Sequence, residues 1–259
     1  MHRFLSAALV LLGAGTAFGG VTVLVDEPFN YADNAAFNAV WNANANPNDF
    51  YTMDGTFGNP LPSYKMPSPT ANFTGRSALN LGGDFNGTDA NPLVIAFDFY
   101  LSDAGAATLW NGARHYVELR GYSGDAFGVG SLENLLAMGV YNATDAPDGA
   151  HSNVYYQGRV TFGSGWSTLN DLGGPGRATG WHRLQIAVTS TQVQFSVDGV
   201  LAEVESRPNA LGFDNVVLGS DLTAAGHTAW VDNLSVVIVP EPASLALLAL
   251  AGLFIRRRR

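Results

Sequence analysis

Over most of this chain apolar residues recur at every second position, the period of a strand with one buried face, while helical spacing is scarce. The clearest case is residues 181–188, where His182, Leu184, Ile186 and Val188 share one face. Four polar residues follow, then residues 193–197 alternate again, which makes a hairpin. Asp198-Gly199 comes next, a pair whose two members both tolerate the positive φ of a tight hairpin turn, so residues 200–204 return antiparallel. The same pattern predicts strands over 213–218 and 229–237, and upstream over 93–101, 115–122, 136–141 and 154–162. Glycine-rich stretches at 121–130 and 163–180 suit turns and surface loops. One short helix is expected at 35–41, capped by Asp33 or Asn34.

Eight or more antiparallel strands, with no internal repeat and no linker, predict a single all-β domain built as a two-sheet antiparallel sandwich, most simply a jelly roll. Gly180-Trp181-His182-Arg183-Leu184, Phe195-Ser196-Val197-Asp198-Gly199, Phe213-Asp214-Asn215-Val216-Val217-Leu218-Gly219 and Trp230-Val231-Asp232-Asn233-Leu234 resemble the second half of a concanavalin A-like lectin/glucanase (LamG-like) jelly roll. Trp181 and Trp230 are expected in the core, while Trp110 and Trp166 flank loops.

The two ends follow another logic. Met1-His2-Arg3 and the apolar residues 4–12, followed by small residues up to Gly20, have the layout of a secretory signal peptide, with cleavage expected after Ala17-Phe18-Gly19. At the other end Val239-Pro240-Glu241-Pro242 precedes the mostly apolar residues 243–255 and then Arg256, Arg257, Arg258 and Arg259. The apolar stretch, as a helix, is about 20 Å long, against about 30 Å of bilayer core. It suits a segment held briefly in the membrane with its arginines in the cytoplasm. This tail resembles a PEP-CTERM sorting domain. The resemblance implies recognition by an exosortase, which would read Pro240, Glu241 and Pro242, in a bacterium that makes exopolysaccharide. The expected division is therefore a signal peptide over 1–19, a jelly-roll ectodomain over 20–238 and a sorting segment over 239–259, exported to the envelope, outer surface or matrix.

Charge narrows the partners. Between the sorting segments the chain keeps 8 basic and 21 acidic residues, a net charge of −13. Such a surface repels nucleic-acid phosphates and leaves polysaccharides or divalent cations as the better partners. The chain has no cysteine, so an exported fold must rest on its core without disulfides.

Candidate chemistry is sparse. A glucanase of the resembled family carries its carboxylates on one strand as Glu-x-Asp-x-x-Glu, and no such segment occurs; Glu203 and Glu205 read as a solvated strand edge. There is no Gly-x-Ser-x-Gly, and the five histidines are dispersed. A non-catalytic adhesive or structural role is expected, the alternative being an exported carbohydrate-active enzyme, a glycoside hydrolase or lyase. Sugar binding needs aromatic faces beside planar polar groups, and Tyr116, Glu118 and Arg120 on one strand face, with Tyr155, Tyr156 and Arg159 on a second segment, supply both. Jelly rolls of the resembled type tie their first and last strands with calcium; Asp26, Glu27 and Asp232 are the candidate ligands for a structural Ca²⁺ if those strands pair.

Overall fold

The computed structural model describes residues 20–41, 52–67, 73–101, 114–141, 154–223 and 228–240. In chain order these form β1 (Thr22–Glu27), α1 (Asn34–Asn38), β2 (Thr52–Asp54), β3 (Ser63–Pro67), β4 (Phe73–Phe85), β5 (Leu93–Leu101), β6 (Arg114–Tyr122) and β7 (Leu132–Tyr141). There follow β8 (Gln157–Val160), β9 (Gly165–Thr168), β10 (Trp181–Val188), β11 (Gln192–Val197), β12 (Val200–Ser206), β13 (Phe213–Thr223) and β14 (Thr228–Ile238).

The strands pair antiparallel into two sheets, a sandwich of jelly-roll type. An eight-stranded sheet runs β12-β11-β10-β5-β14-β3-β2, with β1 also pairing β14; a six-stranded sheet runs β4-β13-β6-β7-β8-β9. The hairpin β10–β11 and the strand β5 form where the alternation predicts them, and Asp198 and Gly199 take φ of 51° and 78°. Asp33 is the helix cap, its Oδ1 accepting from the Ala36 amide at 2.8 Å. The alternation did not predict β1, β2, β3, β4 or β9. Leu24 of β1 is a bulged residue that breaks the period, and β9 is a four-residue strand half-buried throughout.

Between the sheets, Leu93, Ile95, Phe97 and Phe99 of β5 meet Val117, Leu119, Met138 and Leu218 of the other sheet, all fully buried. A second layer of order closes the end of this core. The Glu27 carboxylate, 7% exposed, accepts from the Phe29 amide (2.6 Å), the Tyr31 hydroxyl (2.5 Å) and the Trp41 indole (2.9 Å). Around it Phe29, Phe37, Trp41 and Tyr64 stack, with ring centroids 5.0–5.9 Å apart in successive pairs. Burial, reinforced by the bond to Glu27, pushes the Tyr31 hydroxyl well above its ordinary pKa, so it donates at any physiological pH.

On the outer side of the eight-stranded sheet, residues 55–62 are strapped down. Phe57 stacks on Trp181 (5.5 Å), meets Tyr100 edge-on (4.7 Å) and tilts against Trp230 (4.9 Å). Asn59 donates its amide to Asp232 Oδ2 (2.5 Å) and its side chain to Asp98 Oδ2 (3.2 Å). Trp181 and Trp230 are thus half-buried on the outer face, and the expectation of a core position for them is corrected. Leu184 and Ile186 face inward on β10, so Trp181, at odd spacing, faces out.

Removing the Glu27 carboxylate leaves two buried donors and one half-buried donor without their acceptor, so Glu27→Ala is expected to lower unfolding free energy by about 3 kcal/mol. Urea denaturation checks this, with Glu27→Gln, which keeps one acceptor oxygen, losing less.

Candidate functional site

Among the described residues, the outer face of the six-stranded sheet carries four of those singled out from the sequence, Tyr116, Glu118, Arg120 and Arg159. Registered pairing places Val217, Glu118, Ala137, Arg159 and Trp166 side by side in one row across five strands. The next row holds Gly219, Tyr116, Gly139, Gln157 and Thr168. Tyr116, Glu118 and Arg120 do share a face, but β7 separates them from Arg159, which puts Glu118 and Arg159 about 10 Å apart at the usual strand spacing.

Glu118 and Arg120 are spent on each other. Glu118 Oε2 accepts from Arg120 Nη2 at 2.6 Å and Nε at 2.7 Å, and Arg120 Nη1 donates to the Tyr122 hydroxyl at 2.9 Å. Burial acts to lower the guanidinium pKa, but the Glu118 charge and the Tyr122 bond outweigh it and hold it above the ordinary value. Tyr116 and Glu118 are each 2% exposed and Arg120 7%, so these three form a floor rather than an open contact surface.

The accessible part is a rim of which the sequence pattern singled out only Arg159. Trp166 of β9 stacks on Tyr141 of β7 with centroids 4.2 Å apart and planes 10° apart, and tilts against Tyr116 at 5.4 Å. Arg159 lies 5.5 Å from the Trp166 ring and Arg114 lies 5.0 Å from the Tyr141 ring, both cation–π arrangements. All four side chains are half-buried. Small residues at Gly139, Gly219 and Ala137 keep the floor beside them low; a Cβ at Gly219 would sit 2.5 Å from the Gly75 carbonyl. The signal available in the sequence was the alternation of Arg114 with Tyr116, which places Arg114 on the same face.

Tyr156 is a correction. It lies in the core, 1% exposed, edge-on to Phe99 at 6.2 Å, because Gln157 and Arg159 take the outward positions of β8. Its hydroxyl finds no partner among the described residues, and burial drives its pKa far upward. Tyr155, half-buried, lies just before the strand. Glu203, expected on a solvated edge, is 8% exposed, and burial, then the charges of Asp171 and Glu205, raise its pKa.

The calcium candidates divide. The first and last strands do pair, Asp26 opposite Ser235 and Glu27 opposite Leu234. Asp26 is exposed, whereas Glu27 points inward to its three donors. Asp232, fully buried, accepts from the Asn59 amide and, at 2.8 Å, from its neighbour Asn233. Successive residues of one strand face opposite ways, so Asp26 and Glu27 do not converge. Among the described residues no three carboxylate or histidine side chains are grouped to hold a metal.

Of the sorting residues, Pro240 follows β14 after Val239; Glu241, Pro242 and Arg256, Arg257, Arg258 and Arg259 lie outside the described residues, as do residues 1–19 and Trp110. Residues 239–259 match the PEP-CTERM protein-sorting motif, which marks an exported protein of the cell envelope processed by an exosortase. No curated protein matches the chain in sequence. Its fold is similar to a solved structure from a description of endo-acting O-glycanases that human gut microbiota express to initiate mucin breakdown (TM-score 0.53, 13% identity, covering 85% of this chain and 100% of that one). It is similar also to a Bacillus subtilis protein of unknown function with a galectin-like fold (TM-score 0.51, 11% identity, 85% and 98% covered). A sialidase is matched at TM-score 0.51 and 9% identity over 83% of this chain, which spans only 18% of the sialidase chain. At these identities the likeness is one of fold, a jelly-roll or galectin-like sandwich.

Asp232 supplies a pH test. Burial raises its pKa, the Asn59 and Asn233 amides oppose the shift, and the Asp98 and Glu27 charges add to it; the net direction is upward. The native state therefore binds this proton more tightly than the unfolded chain, whose aspartate titrates near about 3.9. Its contribution is full below that pH and is withdrawn as pH rises through the raised value. Over about pH 4 to pH 7 the wild type is expected to lose stability relative to Asp232→Asn, measured by urea melts; a wild type that gains on the variant over this range contradicts the shift.

Proposed function

We propose that this chain is an exported, non-catalytic protein of the envelope or extracellular matrix, adhesive or structural in role, which binds polysaccharide weakly through the outer face of its six-stranded sheet. Signal peptidase and an exosortase are its processing partners, and residues 243–255 hold it to the membrane before processing. The observation that carries the binding role is the Trp166–Tyr141 stack flanked by Arg159 and Arg114. Aromatic faces suit the apolar faces of sugar rings, and guanidinium groups suit ring hydroxyls and carboxylates. A non-catalytic reading is supported by Glu118, the carboxylate at the centre of this face, being closed into an ion pair with Arg120.

The test is gel retardation of the purified protein in polysaccharide from its native matrix. Trp166→Ala is expected to weaken retardation by about three- to tenfold, the worth of one stacking contact, in a chain that stays folded at the temperature of the gel. Retardation equal to that of the wild type would contradict this assignment of the face.

A further inference from the structure

The solvent side of the eight-stranded sheet changes character along its length. At the end far from the tail it carries Trp181, Tyr100 and Trp230 in one row, then Arg183, Asp98 and Asp232 in the next. At the tail end the row is Ala187, Val94, Val237 and Val23, registered directly opposite one another on β10, β5, β14 and β1. Solvent-side positions of an antiparallel sheet are ordinarily polar. Here four neighbouring strands each place an aliphatic side chain there, and Val23 is 53% exposed, with Val21 beside it at 54%. In a chain of such negative charge this row carries none.

The sorting motif starts beside it with no slack. Val237 belongs to the row, Ile238 pairs with both Thr22 and Leu93, and the Val239 amide donates to the Pro92 carbonyl at 3.0 Å. Val239 is the first residue of the motif match, and Pro240 has no amide hydrogen with which to extend the ladder. Three residues of extended chain reach about 10 Å. An enzyme that closes on Pro240 must therefore bring its own surface against the end of this sheet, where it meets a row with no charge to desolvate.

We infer that the row Ala187–Val94–Val237–Val23 is a docking surface for the enzyme that reads the sorting motif, so that the folded domain is recognised together with the tail. The inference rests on the sorting reading and adds a contact outside the motif. Val23 and Val94 face solvent on opposite sides of β14, so substitution there perturbs the surface while sparing the core.

The experiment follows tail removal from the full chain in its native host, by intact mass after a pulse of synthesis. The double variant Val23→Lys/Val94→Lys is expected to lose its tail about tenfold more slowly than the wild type, the factor that goes with one unburied valine. Val23→Thr/Val94→Thr, which keeps shape and strand preference, is expected to be slowed less, and it stands in if the lysine variant has a lowered thermal midpoint. A flexible Gly-Ser insertion between Val239 and Pro240 is expected to slow processing as the lysines do. Wild-type rates in the substituted chains, or in the insertion, overturn the inference and leave the sorting reading intact. A wild-type chain that keeps its tail refutes the sorting reading itself. If the lysine variant instead loses binding to phosphatidylethanolamine–phosphatidylglycerol vesicles in proportion to its slower processing, the row belongs to lipid and the inference falls.

Discussion

Backbone pairing on both sides of β14 is the constraint on which the rest of this molecule depends. One side of the strand is taken by β5 along most of its length; the other is shared by β3 at the far end and β1 at the tail end. A strand serving three partners cannot keep one regular ladder, and it breaks at Asp232 to Ser235, where Asn233 takes a φ of 46°. That single inserted residue resets the alternation, so that Val231 before it and Leu234 after it both face the core. Asp232 is buried in the break and binds the Asn59 amide, which fixes residues 55–62 over the aromatic row. Without disulfides, this strand does the joining of first and last elements that a cross-link would do in many exported domains.

Where one physical rule governed a segment, the sequence showed its structure. The β10–β11 hairpin, the Asp198-Gly199 turn and the long β5 each follow from strand alternation or turn chemistry alone. Where two rules competed, the outcome was hidden. Aromatic size suggested that Trp181 and Trp230 are core residues, but their parity on β10 and β14 puts them outside. Tyr155-Tyr156 offered two tyrosines for a binding face, yet a strand can direct only one of two neighbours outward. β1 stayed hidden because its bulge at Leu24 breaks the period, and β9 because its pairing with β8 is all that makes it a strand.

The candidate glycan face was legible only as a direction. Alternation placed Tyr116, Glu118 and Arg120 together; it did not show that their polar atoms satisfy one another at the floor. The ring that remains accessible comes from a four-residue edge strand, brought over Tyr141 by long-range pairing of β7, β8 and β9. Polarity is thus distributed by position. The aromatic and arginine-bearing rim lies on one sheet, and the uncharged aliphatic row lies on the other, beside the last strand's exit toward the sorting motif.

The domain ends, structurally and chemically, where β14 hands over to the motif. Intact mass spectrometry of the protein from the membrane and extracellular fractions of its native host tests this most directly. The expected species begins near Gly20 and lacks the residues beyond Pro240, Glu241 and Pro242. A mature protein that retains Arg256, Arg257, Arg258 and Arg259 in every fraction would contradict it.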